Sequence, residues 1–159
     1  MKTMIGLFTL TLGAIWLFVS SVAGAQTQED PFPRKFNSEL TFKVAAVKVD
    51  WEAMSFDVIE VGRTPSEEPL IIPECDWWIV EPLSQPDWKA VAAEVRRQNI
   101  PGVSLGHVDD DLLKQVAGMQ NLQWVEASAG QFTRAKLAHL EELKGLQVLK
   151  LWGGLFQEE

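Results

Sequence analysis

A single cysteine in 159 residues excludes an intramolecular disulfide, so an exported form of this chain must be held together by its core alone. That cysteine, Cys75, lies between Glu74 and Asp76. Neighbouring carboxylates raise a thiol pKa and oppose a reactive thiolate. Histidine is nearly as scarce: His107 and His139 fall in different parts of the chain, with no Cys or carboxylate pair to complete a metal set. Basic charge is also short. Fourteen Lys and Arg face 22 Asp and Glu, a net −8, which excludes the basic footprint that nucleic acid requires and attraction to an anionic membrane surface. No Ser-His-Asp elbow, P-loop or dinucleotide fingerprint is present. The sequence therefore implies no cofactor, no metal and no standard enzyme.

What is present begins with a leader. Lys2 precedes an apolar run from Met4 to Val19, and Ala23-Gly24-Ala25 forms a small-x-small cleavage signal. Cleavage after Ala25 is expected, giving a periplasmic or extracellular protein. Left uncleaved, the run approaches the length of a membrane anchor, and only then is a membrane partner implied. The leader holds no charged residue but Lys2, so its loss moves the net charge from −8 to −9.

Residues 26–38 read as a flexible, proline-bearing lead-in, 39–83 as a β-rich capping region, and 84–152 as the main body with its cap helix. A short tail, 153–159, follows. Within 39–61 two readings stand. Leu40, Phe42 and Val44, then Val47, Val49 and Trp51, alternate as strands do, with a parity flip at Ala45-Ala46 that a bulge would explain. Leu40, Val44, Val47, Trp51, Met54, Val58 and Val61 also fit helical spacing, but β-branched residues and a second apolar set (Phe42, Val49, Phe56, Ile59) favour two strands. A helix follows from Ser84 as N-cap, with Pro86 in its first turn and an inward stripe of Trp88, Val91, Ala92 and Val95.

From Ile100 to Trp152 the chain nearly repeats itself. Ile100-x-x-Val103-x-Leu105, Leu122-x-x-Val125-x-Ala127 and Leu146-x-x-Leu149-x-Leu151 are separated by steps of 22 and 24 residues. Val108, Leu113, Val116 and Met119 match Phe132, Leu137, Leu140 and Leu143 at the longer step. Such a period marks one strand and one helix per unit. The copy from Leu122 to Leu140 resembles bacterial leucine-rich repeat proteins of the pattern L-x-x-L-x-L-S-G-T-x-V-T-D-A-G-L-x-x-L, departing from it at Ala127 and Arg134. The resemblance covers residues 100–152. It implies an α/β fold: a short leucine-rich-repeat solenoid of about two and a half strand–helix repeats, with an N-terminal α+β capping region. The end after Leu151 would then be open and covered by a protein partner or by self-association.

In such strands the residues between the inward triplets face outward. These are Trp124, Glu126 and Ser128 in one strand and Val148, Lys150 and Trp152 in the next, and together they form the candidate partner-binding set. The 24-residue step places Glu126 beside Lys150, a cross-strand pair of under about 1 kcal/mol. The two outward tryptophans are either binding anchors or core, if the N-terminal segment folds over them. Asp109-Asp110-Asp111 lacks the spacing of a calcium loop and reads as helix capping. The function expected is non-catalytic protein binding or assembly. The alternatives are a purely structural capping piece and an enzyme with a non-standard site near Cys75.

Overall fold

The structure, a computed structural model, describes residues 4–10, 14–20, 33–53, 55–128, 131–153 and 155–157. The expected cleavage site at Ala25, the first part of the lead-in, Met54, and Ala129-Gly130 of the repeat motif lie outside the described residues. In chain order the strands are β1 (Met4–Leu10), β2 (Ala14–Ser20), β3 (Arg34–Phe36), β4 (Phe42–Asp50), β5 (Ser55–Arg63), β6 (Leu70–Ile72) and β7 (Trp77–Pro82). Then come α1 (Trp88–Arg97), β8 (Gly102–His107), α2 (Asp110–Ala117), β9 (Trp124–Ser128), β10 (Gln131–Thr133), α3 (Arg134–Leu140), β11 (Val148–Trp152) and β12 (Leu155–Gln157).

The central feature is a six-stranded mixed sheet in the order β11-β9-β8-β7-β4-β5. The strands β7, β8, β9 and β11 are parallel, and β4 and β5 are antiparallel additions. Beyond β11, β2 pairs antiparallel with it and β1 with β2. Both of those strands belong to the expected leader. Cleavage after Ala25 would remove them and leave β11 as an edge.

The solenoid expectation is overturned. The fold is sheet-dominated, with three short helices of 10, 8 and 7 residues among the described residues. The strands expected to form a separate cap share one sheet with those of the repeat region, joined through β7. A solenoid unit touches only its neighbours, but here Phe56 on β5 packs edge-on against Trp124 on β9, with centroids 5.0 Å apart across three intervening strands. The physical reason is that both sheet faces are apolar. On one face, Phe42, Val44, Trp78, Val80, Val103, Val125 and Leu149 pack beneath buried residues of the helices, Val91 and Val95, Leu113 and Val116, and Leu140. On the other, Ala45, Val47, Trp77, Ile79, Trp124 and Val148 form a second cluster.

This two-sided core also settles the ambiguous stretch. Residues 42–50 and 55–63 are strands, and the apparent parity flip at Ala45-Ala46 is not a reversal of the strand. Phe42 and Val44 serve the helix-side core, while Ala45 and Val47 serve the other. A bulge does occur alongside: Val44 opposes Gly62 and Ala45 opposes Glu60, which leaves Val61 as the extra residue on β5.

Two helix starts follow from carboxylate caps. Asp109 accepts from Leu112 N at 2.8 Å, as the capping reading of the aspartate run requires. For α1 the cap is Asp87, which accepts from Lys89 N at 2.9 Å, and not Ser84. Ser84 has φ 64°, a left-handed turn conformation that places it outside the helix. No helix among the described residues is long and apolar enough to cross a membrane.

Candidate functional site

The face opposite the helices carries the expected partner-binding residues, and it divides into an apolar row and a polar row. Cross-strand pairing aligns Ala45, Ile79, Gly102, Trp124 and Val148. The neighbouring row aligns Lys43 with Glu81, and Ser104 with Glu126 and Lys150. Residues directly opposite each other in a sheet share a face, so each row acts as a unit.

Gly102 shapes the apolar row. A Cβ there would meet Ile79 Cγ2, and would stand 3.1 Å from both Trp124 Cβ and the Trp78 carbonyl oxygen. The notch lets the Trp124 ring lie across β8 toward Trp77, 5.7 Å away, and Phe56. Trp124 is fully buried and Val148 nearly so. Trp124 is therefore core, not a solvent-accessible anchor. Its indole N–H has no acceptor among the described residues, whereas Trp77 Nε1 donates to Gln123 Oε1 at 3.2 Å.

The polar row behaves differently, together with the row beyond it that aligns His107, Ser128 and Trp152. Trp152 is 38% exposed, and its Nε1 donates to Glu126 Oε1 at 2.6 Å. Lys150 Nζ lies 3.3 Å from the same oxygen and 4.2 Å from the Trp152 ring centre. Ser128 is half-buried and pairs with Trp152 on one side and His107 on the other. The structure thus brings Glu126, Ser128, Lys150 and Trp152 together at the surface, and separates Trp124 and Val148 from them.

No family model, curated protein or solved structure matches this chain.

Two further places hold polar chemistry. A groove of about 710 Å³ runs between α1 and the chain around residue 38, lined by Leu40, Pro65, Ala90, Ala93, Glu94 and Arg97. The Glu94 carboxylate there accepts both Arg97 guanidinium bonds, at 2.9 and 2.7 Å, and one from Gln98 at 3.0 Å. Burial would raise its pKa, but the bonds from Arg97, Gln98 and Ser38 outweigh burial and hold it below the ordinary carboxylate value. With Gln98 also donating to the Asn37 carbonyl at 2.6 Å, this is a clasp between segments, its oxygens already engaged. At Cys75, burial first and the Asp76 charge second push the thiol above its ordinary value. It stays protonated at neutral pH and is a poor nucleophile.

Three of the most exposed large apolar groups lie elsewhere, on the β4–β5 hairpin, and a further one, Ile71, lies on β6. Trp51 is 55% exposed, Val58 51% and Ile59 53%. In the sequence these residues fall within the strand and helix patterns of residues 39–61, and periodicity does not mark them as exposed. The signal that could have found them is the adjacent pair Val58-Ile59, apolar on both faces of what proves to be the last strand of the sheet.

Proposed function

We propose that the protein is an exported, non-catalytic protein-binding module whose contact surface is the β4–β5 end of the sheet. The observation that carries this reading is the exposure of Trp51, Val58 and Ile59 at a single sheet end. Concentrated apolar exposure marks an interaction surface, and tryptophan is among the residues enriched in binding hot spots. The protonated Cys75 thiol and the already engaged Glu94 carboxylate support a non-catalytic role. Export rests on the leader, whose removal predicts a mature N-terminus at Gln26, readable by intact mass.

The test is a photo-cross-linking side chain placed at Val58 in the exported protein, with the same group at exposed Lys89 on α1 as reference. A discrete protein adduct at position 58 and none at 89 is expected. Equal labelling at both positions, or none at either, overturns the reading.

A further inference from the structure

We propose that β5 is completed by an extended segment of a second protein that adds as a strand along Ser55–Glu60 and carries the pattern basic–apolar–apolar–basic. The proposal rests on the protein-binding reading above and names the chemistry of the partner.

Among the described residues β5 is hydrogen-bonded in the sheet only to β4, so one row of its backbone groups is left to pair. Its neighbours on β4 are covered. Val47, opposite Val58, and Ala46, opposite Ile59, are both buried. Val58 and Ile59 project from opposite faces and are each more than half exposed. Consecutive apolar residues on one strand are the pattern of a strand covered on both faces, and the side chains of an added strand would lie beside Val58 on one face and Ile59 on the other. The bulge at Val61 interrupts the regular ladder, which confines clean pairing to Ser55–Glu60.

Charge then selects the occupant. Between Lys48 and Glu60 the hairpin carries Asp50, Glu52, Asp57 and Glu60 against Lys48, which stands opposite Asp57 on β4, so the stretch keeps a net acidic charge. A second copy fits poorly for a geometric reason. In antiparallel self-pairing across a two-fold axis, the backbone direction of each residue alternates, so the axis must pass through a residue and not between two. Centred on Asp57 or Glu60, such a pair sets like charges directly opposite. Centred on Val58 it places Asp57 diagonal to its mate, and centred on Ile59 it does the same with Glu60. Like charges at these distances destabilise a strand pair.

A basic partner reverses each of those terms. Side chains opposite Asp57 and Glu60 would be Lys or Arg, and those opposite Val58 and Ile59 would be apolar, which gives the four-residue pattern in either strand direction. Glu60 already lies 4.0 Å from Lys43 and 3.6 Å from Arg63. Those are exposed contacts and leave carboxylate lone pairs for a further donor.

The probe is a synthetic peptide with Lys-Val-Ile-Lys at its centre between threonines, and its counterpart with Glu-Val-Ile-Glu. Amide NMR shifts of the mature protein should move along Ser55–Glu60 with the lysine peptide and not with the glutamate one. The double variant Asp57→Lys/Glu60→Lys should bind the lysine peptide about tenfold more weakly, since two cross-strand charge pairs are reversed, and should gain the glutamate peptide. Because both substitutions are at exposed positions, folding is expected to survive, and far-UV circular dichroism checks it. Unchanged affinity in the double variant, or shifts centred elsewhere, overturns the proposal. So does a dimer in sedimentation that Ile59→Lys dissociates, which would make a second copy the occupant. A position-58 adduct that persists in the charge-swapped variant sinks this inference while leaving the protein-binding reading intact.

Discussion

At the scale of single residues, the second core depends on the absence of a side chain at Gly102. Its φ is not in the left-handed region, so the need for glycine there is one of space. Gly102→Ala forces a methyl against Ile79 Cγ2 and toward the Trp78 carbonyl, which cannot move without disturbing β7. Overpacking of this kind costs about 1–3 kcal/mol. Urea denaturation should show that loss, and in the double variant with Ile79→Ala the two effects should fall short of additive, because the second substitution removes the clash. Strict additivity would mean the notch is not the constraint. Glu94 offers a test by pH. Its folded pKa is depressed, so its contribution is fully present above the unfolded value and is lost as pH falls through the lower, folded one. Glu94→Gln should cost about 1–3 kcal/mol at neutral pH, as loss of a buried, hydrogen-bonded charge does. It should also unfold with a shallower acid limb below the ordinary carboxylate range. Thermal melts at neutral and acid pH separate this from a uniform loss, in which the two curves would stay parallel.

At the scale of elements, the start of α1 is set by Asp87 and not by Ser84, the cap expected from the sequence three positions earlier. Asp87 makes the bonds and Ser84 sits in a left-handed turn before them. Asp87→Ala should lower stability by about 1 kcal/mol, and Ser84→Ala should change it by less than about 0.5 kcal/mol. The reverse order would restore the serine cap. The inward stripe of α1 (Val91, Ala92, Val95) was legible because helical periodicity survives in any packing context, and the aspartate cap of α2 because a carboxylate before Leu112-Leu113 has one local use. The cross-strand neighbours of Glu126 and Ser128 were legible too, since the 24-residue step sets their register with Lys150 and Trp152. What periodicity could not carry was the fate of the residues between the inward positions. Trp124 matches Val148 at the 24-residue step and Trp152 matches Ser128, and both tryptophans fall between the inward positions of their strands. Yet Trp124 is core because Gly102 and Phe56, distant in sequence, make room for it and cover it. The Ala45-Ala46 flip has the same origin: a strand buried on both faces loses the polar alternation by which faces are told apart, and the register shift falls beside it, between Val44 and Ala45.

For the whole molecule, the distinction between a stack of repeats and one mixed sheet is a distinction in cooperativity. Units that contact only their neighbours can fray from an end, so that different probes report different transitions. Here the Phe56–Trp124 contact ties the outermost antiparallel strand to β9, and Trp77 touches Trp124 from β7 and Trp51 from the hairpin turn. The aromatic cluster therefore spans elements from residue 51 to residue 124. Removing Phe56 should loosen the repeat-region strands as well as the hairpin that carries it. Urea unfolding followed by tryptophan fluorescence and by far-UV circular dichroism should give coincident curves, the mark of a two-state transition. Phe56→Ala should move both midpoints together, by about 3–5 kcal/mol if the half-buried ring behaves as a core residue and by less in proportion to its exposure. The decisive measurement is native-state amide exchange at Val125 and Leu149. If their protection falls with Phe56→Ala in step with Val47 beside the substitution, the sheet is one cooperative body. If it holds while the hairpin alone opens, the parallel strands form an independent unit, and the contacts across the open face contribute little to joining them.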